Sequence, residues 1–195
     1  MNGSPEPLII GEAHVNPPNR FPVLLPVAGL AFAALHLAYE HFTGGVQSHN
    51  LLNRPDLPAI SNWLGLVTLP LLGVVLGLRI RSHPSPARFV GMPRSVLTAL
   101  AGAFLYGGVL AASFELGASG ITSVAFIGLF VVALALPVYR AEYVTGFVTG
   151  MTVTFGGVLP LLVAAVVAAF SFVVRYSLCS IAALLRNKRA PPEVG

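Results

Sequence analysis

The chain has 195 residues, of which 55% are hydrophobic and 9% are charged. A soluble domain carries about a quarter charged residues, so a wholly water-facing surface is excluded and one compact bundle in a bilayer remains. The net charge of +4 does not point to nucleic acid, because the basic residues cluster at the ends of apolar runs, where they set topology.

Residues 1–20 are polar and rich in proline (Pro5, Pro7, Pro17, Pro18) and read as a flexible N-terminal tail. They do not read as a cleavable signal, because the apolar run that follows is long and leads to no small-residue cleavage site. A membrane helix needs about 20 apolar residues. The expected spans are residues 21–42, 60–80, 95–116, 121–138, 142–157 and 158–180. The last two come from one long stretch, divided at Gly156, Gly157 and Pro160; a single kinked helix is the alternative, since proline is tolerated in membrane spans. Residues 21–185 form a single transmembrane helical domain, and residues 186–195 read as a basic C-terminal tail.

Arg79, Arg81, Arg88 and Arg94 gather between the second and third spans. The positive-inside rule places that loop in the cytoplasm. Alternation then brings Arg20, Arg140 and, with six spans, Arg186, Lys188 and Arg189 to the same side, leaving only Arg54 outside. The fold class is therefore an all-α polytopic bundle of six spans with both termini cytoplasmic, in a cell membrane (the inner membrane in a bacterium). Gly73 with Gly77, and Gly146 with Gly150, are spaced for close helix packing within the bundle or in a homo-oligomer. No internal repeat suggests a transporter made of duplicated halves. Cys179 stands alone, so neither an intrachain disulfide nor a cysteine-only metal site is available.

The segment from His36 to Trp63 holds the chemistry: three of the five histidines and two of the seven acidic residues. His36 and Glu40 are four apart and share a helix face, with His41 about 100° further round. Thr43, Gly44 and Gly45 should end the helix; His49, Asn50 and Asp56 follow in a loop, and Ser61 or Asn62 can cap the second helix. Helix direction returns Glu115, at the end of the third span, to the same outer depth. A carboxylate in or near hydrocarbon needs a partner, hydration or a proton, and the histidines are available. Two chemistries fit. His36, His41 and His49 could hold a divalent metal such as zinc, or Glu40 and Glu115 could act as catalytic acid–base groups with a histidine. Each residue also has a plainer reading: His36 bonded to a neighbouring helix, His41 in the interface, His49 solvated in the loop, Asp56 in a turn, Glu115 hydrated at a helix end.

At the inner face, Arg140 and Glu142 between Tyr139 and Tyr143 read as an interfacial anchor. Thr145, Thr149, Thr152 and Thr154 either bond back to their own helix or line a polar path. The run His36-Leu37-Ala38-Tyr39-Glu40 resembles the His-x-x-x-Glu in the first membrane helix of the sterol-isomerase/emopamil-binding group, which isomerises sterol double bonds by intramembrane proton transfer. The resemblance covers five residues; the span number, the Gly44-Gly45 break and the histidine-rich loop depart from the group, and its activity is not carried over.

There is no Walker-type phosphate loop, dinucleotide fingerprint or CxxCH haem attachment. The expected function is a membrane-embedded enzyme acting on a lipid or another apolar substrate. The alternatives are an accessory subunit of a membrane complex and a small proton-coupled transporter or channel.

Overall fold

The computed structural model describes residues 20–50, 54, 56, 58–82 and 92–189. His14, His83, Arg88 and the end of the basic tail lie outside the described residues. The elements in chain order are α1 (Phe21–Thr43), β1 (Ser48–Asn50), β2 (Ala59–Ser61), a 3-10 turn (Asn62–Leu64), α2 (Gly65–Arg81), α3 (Arg94–Glu115), α4 (Ser119–Ala135), α5 (Ala141–Phe155) and α6 (Val158–Arg189).

Six helices are present, and four of them are long and apolar enough to cross a bilayer: α1, α2 with its 3-10 turn, α3 and α6. The shorter α4 and α5 have 17 and 15 residues. At a rise of about 1.5 Å per residue they fall short of a hydrocarbon core about 30 Å thick. The expected break at Gly156 and Gly157 separates α5 from α6. Gly156 has a φ of +68°, which a side-chain-bearing residue rarely adopts. By contrast, α6 runs for 32 residues to Arg189, the last described residue, and so includes the first residues of the segment read as a basic tail. Ala182, Ala183, Leu184 and Leu185 are strong helix formers, and no proline interrupts before Pro191.

The bundle is built from two close helix pairs. In the antiparallel pair α1–α2, Gly29 lies against the Leu69 carbonyl and Pro70, and Gly73 lies against the Leu25 carbonyl and Pro26. A Cβ on Gly29 would stand 2.6 Å from the Leu69 oxygen, and one on Gly73 would stand 2.5 Å from the Leu25 oxygen. The same Pro-x-x-Gly spacing thus serves both helices reciprocally. In the parallel pair α3–α5, Gly146 abuts the Leu100 carbonyl, Gly150 the Phe104 carbonyl, and Gly107 the Phe147 carbonyl. With little apolar driving force between helices in lipid, such close backbone approach carries the packing. Between the pairs lies a core containing Ala33, Leu69, Leu110, Val148 and Met151.

One short hairpin was not foreseen. β1 pairs antiparallel with β2, His49 opposite Ile60. It joins α1 to α2 at the end of the bundle where α3 stops and α6 starts. The opposite end gathers the end of α2, the start of α3 and the α4–α5 connection.

α6 also completes α4. The last carbonyls of a helix have no partner within it, and in a membrane that deficit is costly. Ser171 donates to the carbonyls of Ala133 (2.9 Å) and Leu136 (3.1 Å), and Arg175 Nη2 donates to that of Ala135 (2.7 Å).

Candidate functional site

The polar residues of the hairpin end fall into two groups. The first is a buried cluster around Glu40. His36 and Glu40 are each 8% exposed, and Asn62 is 4% exposed. The Asn62 amide donates to Glu40 Oε1, and the Gln47 backbone N–H donates to Oε2 at 3.3 Å. His36 Nε2 lies 3.1 Å from the Val153 carbonyl. A carbonyl only accepts, so Nε2 carries the hydrogen. This bond satisfies a carbonyl in the last turn of α5. His36 Nε2 is 3.7 Å from Glu40 Oε1, a distance for charge interaction and not for a hydrogen bond.

Gly156 belongs to this cluster. A Cβ there would collide with the Asn62 side-chain oxygen. The turn between α5 and α6 is therefore tight enough to hold Asn62 against Glu40. Asn62 was expected only as a possible cap of the second helix; Ser61 instead caps the 3-10 turn before it, accepting from the Trp63 N–H at 3.5 Å, and α2 has no side-chain cap.

The second group lines a cavity of about 840 Å³ at the same end. Most of its wall is apolar: Phe114, Phe126, Met151, Phe155 and Leu159 among others. Its polar members include His49 and Asn50 from the hairpin, Glu115 from α3, Thr122 and Ser123 from α4, and Thr154 from α5. His49 packs near Phe155, ring centroids 6.3 Å apart, and its Nε2 is buried without a hydrogen-bond partner among the described residues. Glu115 is exposed, and its side chain makes no hydrogen bond or ion pair among the described residues. Ile127 and Leu162 line the cavity while remaining 66% and 46% exposed, so it reaches the outer flank of the bundle.

The five residues singled out in the sequence therefore divide. His36 joins Glu40, and His49 joins Glu115, while His41 is exposed on the outside of α1, edge-on to Phe42. Among the described residues, no three histidine, cysteine or acidic side chains come together as metal ligands. The zinc reading of His36, His41 and His49 is corrected accordingly. Residues 36 and 41 project from different faces of α1, and the hairpin carries residue 49 to a separate wall.

The threonines of α5 do not form a shared row of free hydroxyls. Thr149 donates to the Thr145 carbonyl at 2.7 Å, and Thr152, 1% exposed, donates to the Val148 carbonyl at 2.7 Å. At the opposite end, Arg140 and Glu142 form an ion pair, with Arg140 Nε 2.9 Å from Oε1. The pairing of Arg79 with the same carboxylate, at 3.8 Å, had no signal in the local sequence. Comparisons with known protein families, with curated proteins and with solved structures gave no match.

Proposed function

We propose that this membrane protein takes an amphipathic apolar molecule, such as one bearing an acyl chain, into the cavity at the hairpin end. Glu115 and His49 meet its polar group. The observation that carries this reading is the cavity itself: about 840 Å³ with an apolar wall and a few polar groups. Pockets for small organic ligands typically measure about 300–1,000 Å³ and have this composition. Access from the flank suits a ligand dissolved in lipid. His49 Nε2, without a partner among the described residues, gives a ligand hydroxyl or carbonyl something to bond, since a buried polar atom left alone costs about 1–3 kcal/mol.

The chemistry these two groups can supply is general acid–base catalysis on the bound molecule. In that enzyme reading, Glu40 and His36 support the hairpin and do not touch substrate. The distribution of basic residues favours an orientation with the hairpin outside and the arginine-rich end in the cytoplasm.

A fluorescent fatty acid titrated into detergent-solubilised protein tests the binding claim. Saturable binding is expected, lost on filling the cavity with Thr154→Trp and weakened about tenfold by Glu115→Gln or His49→Ala. Absence of saturable binding, or unchanged binding by Thr154→Trp, would overturn it. Co-purifying lipid identified by mass spectrometry would supply the substrate class for turnover assays.

A further inference from the structure

The end of the bundle opposite the hairpin holds a second, chemically different cavity. It measures about 670 Å³ and is lined by Arg79, Pro137, Tyr139, Arg140, Ala141 and Arg175. Three guanidinium groups far apart in sequence converge on it, brought there by α2, the α4–α5 connection and α6. Glu142 is 1% exposed and lies beside two of them, 2.9 Å from Arg140 Nε and 3.8 Å from Arg79 Nε. The Arg140 Nε–H is not directed along its short contact with Oε1, and Oε2, which faces Arg79, has no hydrogen-bond partner among the described residues either. Arg175 binds the Ala135 carbonyl through Nη2, while its buried Nε has no hydrogen-bond partner among the described residues.

One carboxylate cannot neutralise three guanidinium groups, and the other described acidic residues, Glu40, Asp56 and Glu115, lie at the hairpin end. The excess positive charge faces a cavity large enough for a polar headgroup. The cavity also meets the N-terminus of the 15-residue α5, whose dipole favours an anion.

We infer that Arg79, Arg140 and Arg175 form a binding site for a phosphate group, with the arginine forks giving the multidentate contacts that phosphate oxygens accept. The aromatic side chains beside the site point to the phosphate of an anionic lipid. Tyr139 stands edge-on to Phe172 at 5.7 Å, and Phe172 stacks on Tyr176 at 6.3 Å, an aromatic group of the kind that lies at the membrane–water boundary. Arg175 sits between Phe172 and Tyr176 in sequence. Glu142 lies beside both Arg140 and Arg79 and offsets their mutual repulsion.

The test follows thermal unfolding of the full chain in neutral detergent. The added probe is short-chain phosphatidic acid, short-chain phosphatidylcholine or inorganic phosphate. Phosphatidic acid should raise the midpoint in a saturable way, and phosphatidylcholine should not. Stabilisation by inorganic phosphate at similar concentration would assign the site to a soluble phosphate compound instead of a lipid. Arg175→Gln should weaken the response tenfold or more, and Arg175→Lys should retain most of it. Arg175 does not contact Glu142, so this pair leaves the buried ion pair intact. If neither phosphatidic acid nor inorganic phosphate shifts the midpoint, or if Arg175→Gln responds as the parent does, the inference fails.

Discussion

The protein buries one glutamate near each end of its bundle and stabilises the two by different means. Glu40 is held by neutral donors, the Asn62 amide and the Gln47 N–H. Glu142 is held by two guanidinium groups. Neutral donors satisfy the lone pairs of a carboxylate without fixing a counter-charge, so the Glu40 cluster acts through hydrogen bonds and shape. Its partners come from α1, the hairpin and the 3-10 turn, and it ties these to the end of α5. The Glu142 group acts through charge and leaves a surplus of cations facing a cavity. Deletions at the two ends should therefore differ in size and in their dependence on salt.

The largest effect is expected from Arg140→Ala. It leaves a carboxylate of 1% exposure with only Arg79 at 3.8 Å. Breaking a buried ion pair costs about 3–5 kcal/mol, and the remaining arginine puts the expected loss near the lower figure, about 3 kcal/mol. Denaturant titration of the solubilised protein measures it. Gly156→Ala should follow at about 2–3 kcal/mol, because it combines a positive φ with a Cβ in the place of the Asn62 amide. Hydrogen exchange should show its effect spreading from the α5–α6 turn into the hairpin.

Asn62→Leu removes one donor to Glu40 and is expected to cost about 2 kcal/mol, within the range for an unsatisfied buried acceptor. That loss should change little between low and high salt, whereas the Arg140→Ala loss should change with it; equal salt dependence would erase the distinction between the two ends. His36→Ala exposes the need of the Val153 carbonyl and should cost about 1 kcal/mol, with faster amide exchange at the end of α5. His41→Ala touches an exposed ring and should stay within about 0.5 kcal/mol in the same unfolding assay.

Much of the architecture was legible in the residues. Apolar run lengths gave the helices, Gly156 with Gly157 gave the break, and the Gly146–Gly150 spacing marked a helix contact that forms. Pro26-Val27-Ala28-Gly29 and Pro70-Leu71-Leu72-Gly73 carried a further signal, the repeated spacing that the α1–α2 pair uses. The hairpin was harder to read, since each of its strands has only three residues. Their pairing depends on the separation of α1 from α2, which no local pattern records. The site was read as one cluster because its members share a depth in the bundle. Depth along a helix follows from counting residues, but rotation about the helix axis and the path of the hairpin decide which wall each side chain joins. That is why His36 and Glu40 meet Asn62, His49 meets the cavity that Glu115 also lines, and His41 stands apart.

The sequence by itself determined that the chain is a bundle of apolar helices, where those helices break, and at which end its histidines and its arginines collect. These follow from composition and periodicity, which act over a few residues at a time. The tertiary structure alone decided that Asn62 binds Glu40, that His49 lines an apolar cavity, and that Arg79 and Arg175 join Arg140. Those contacts connect residues far apart in the chain, and their geometry is fixed by how closely glycine lets one helix backbone approach another.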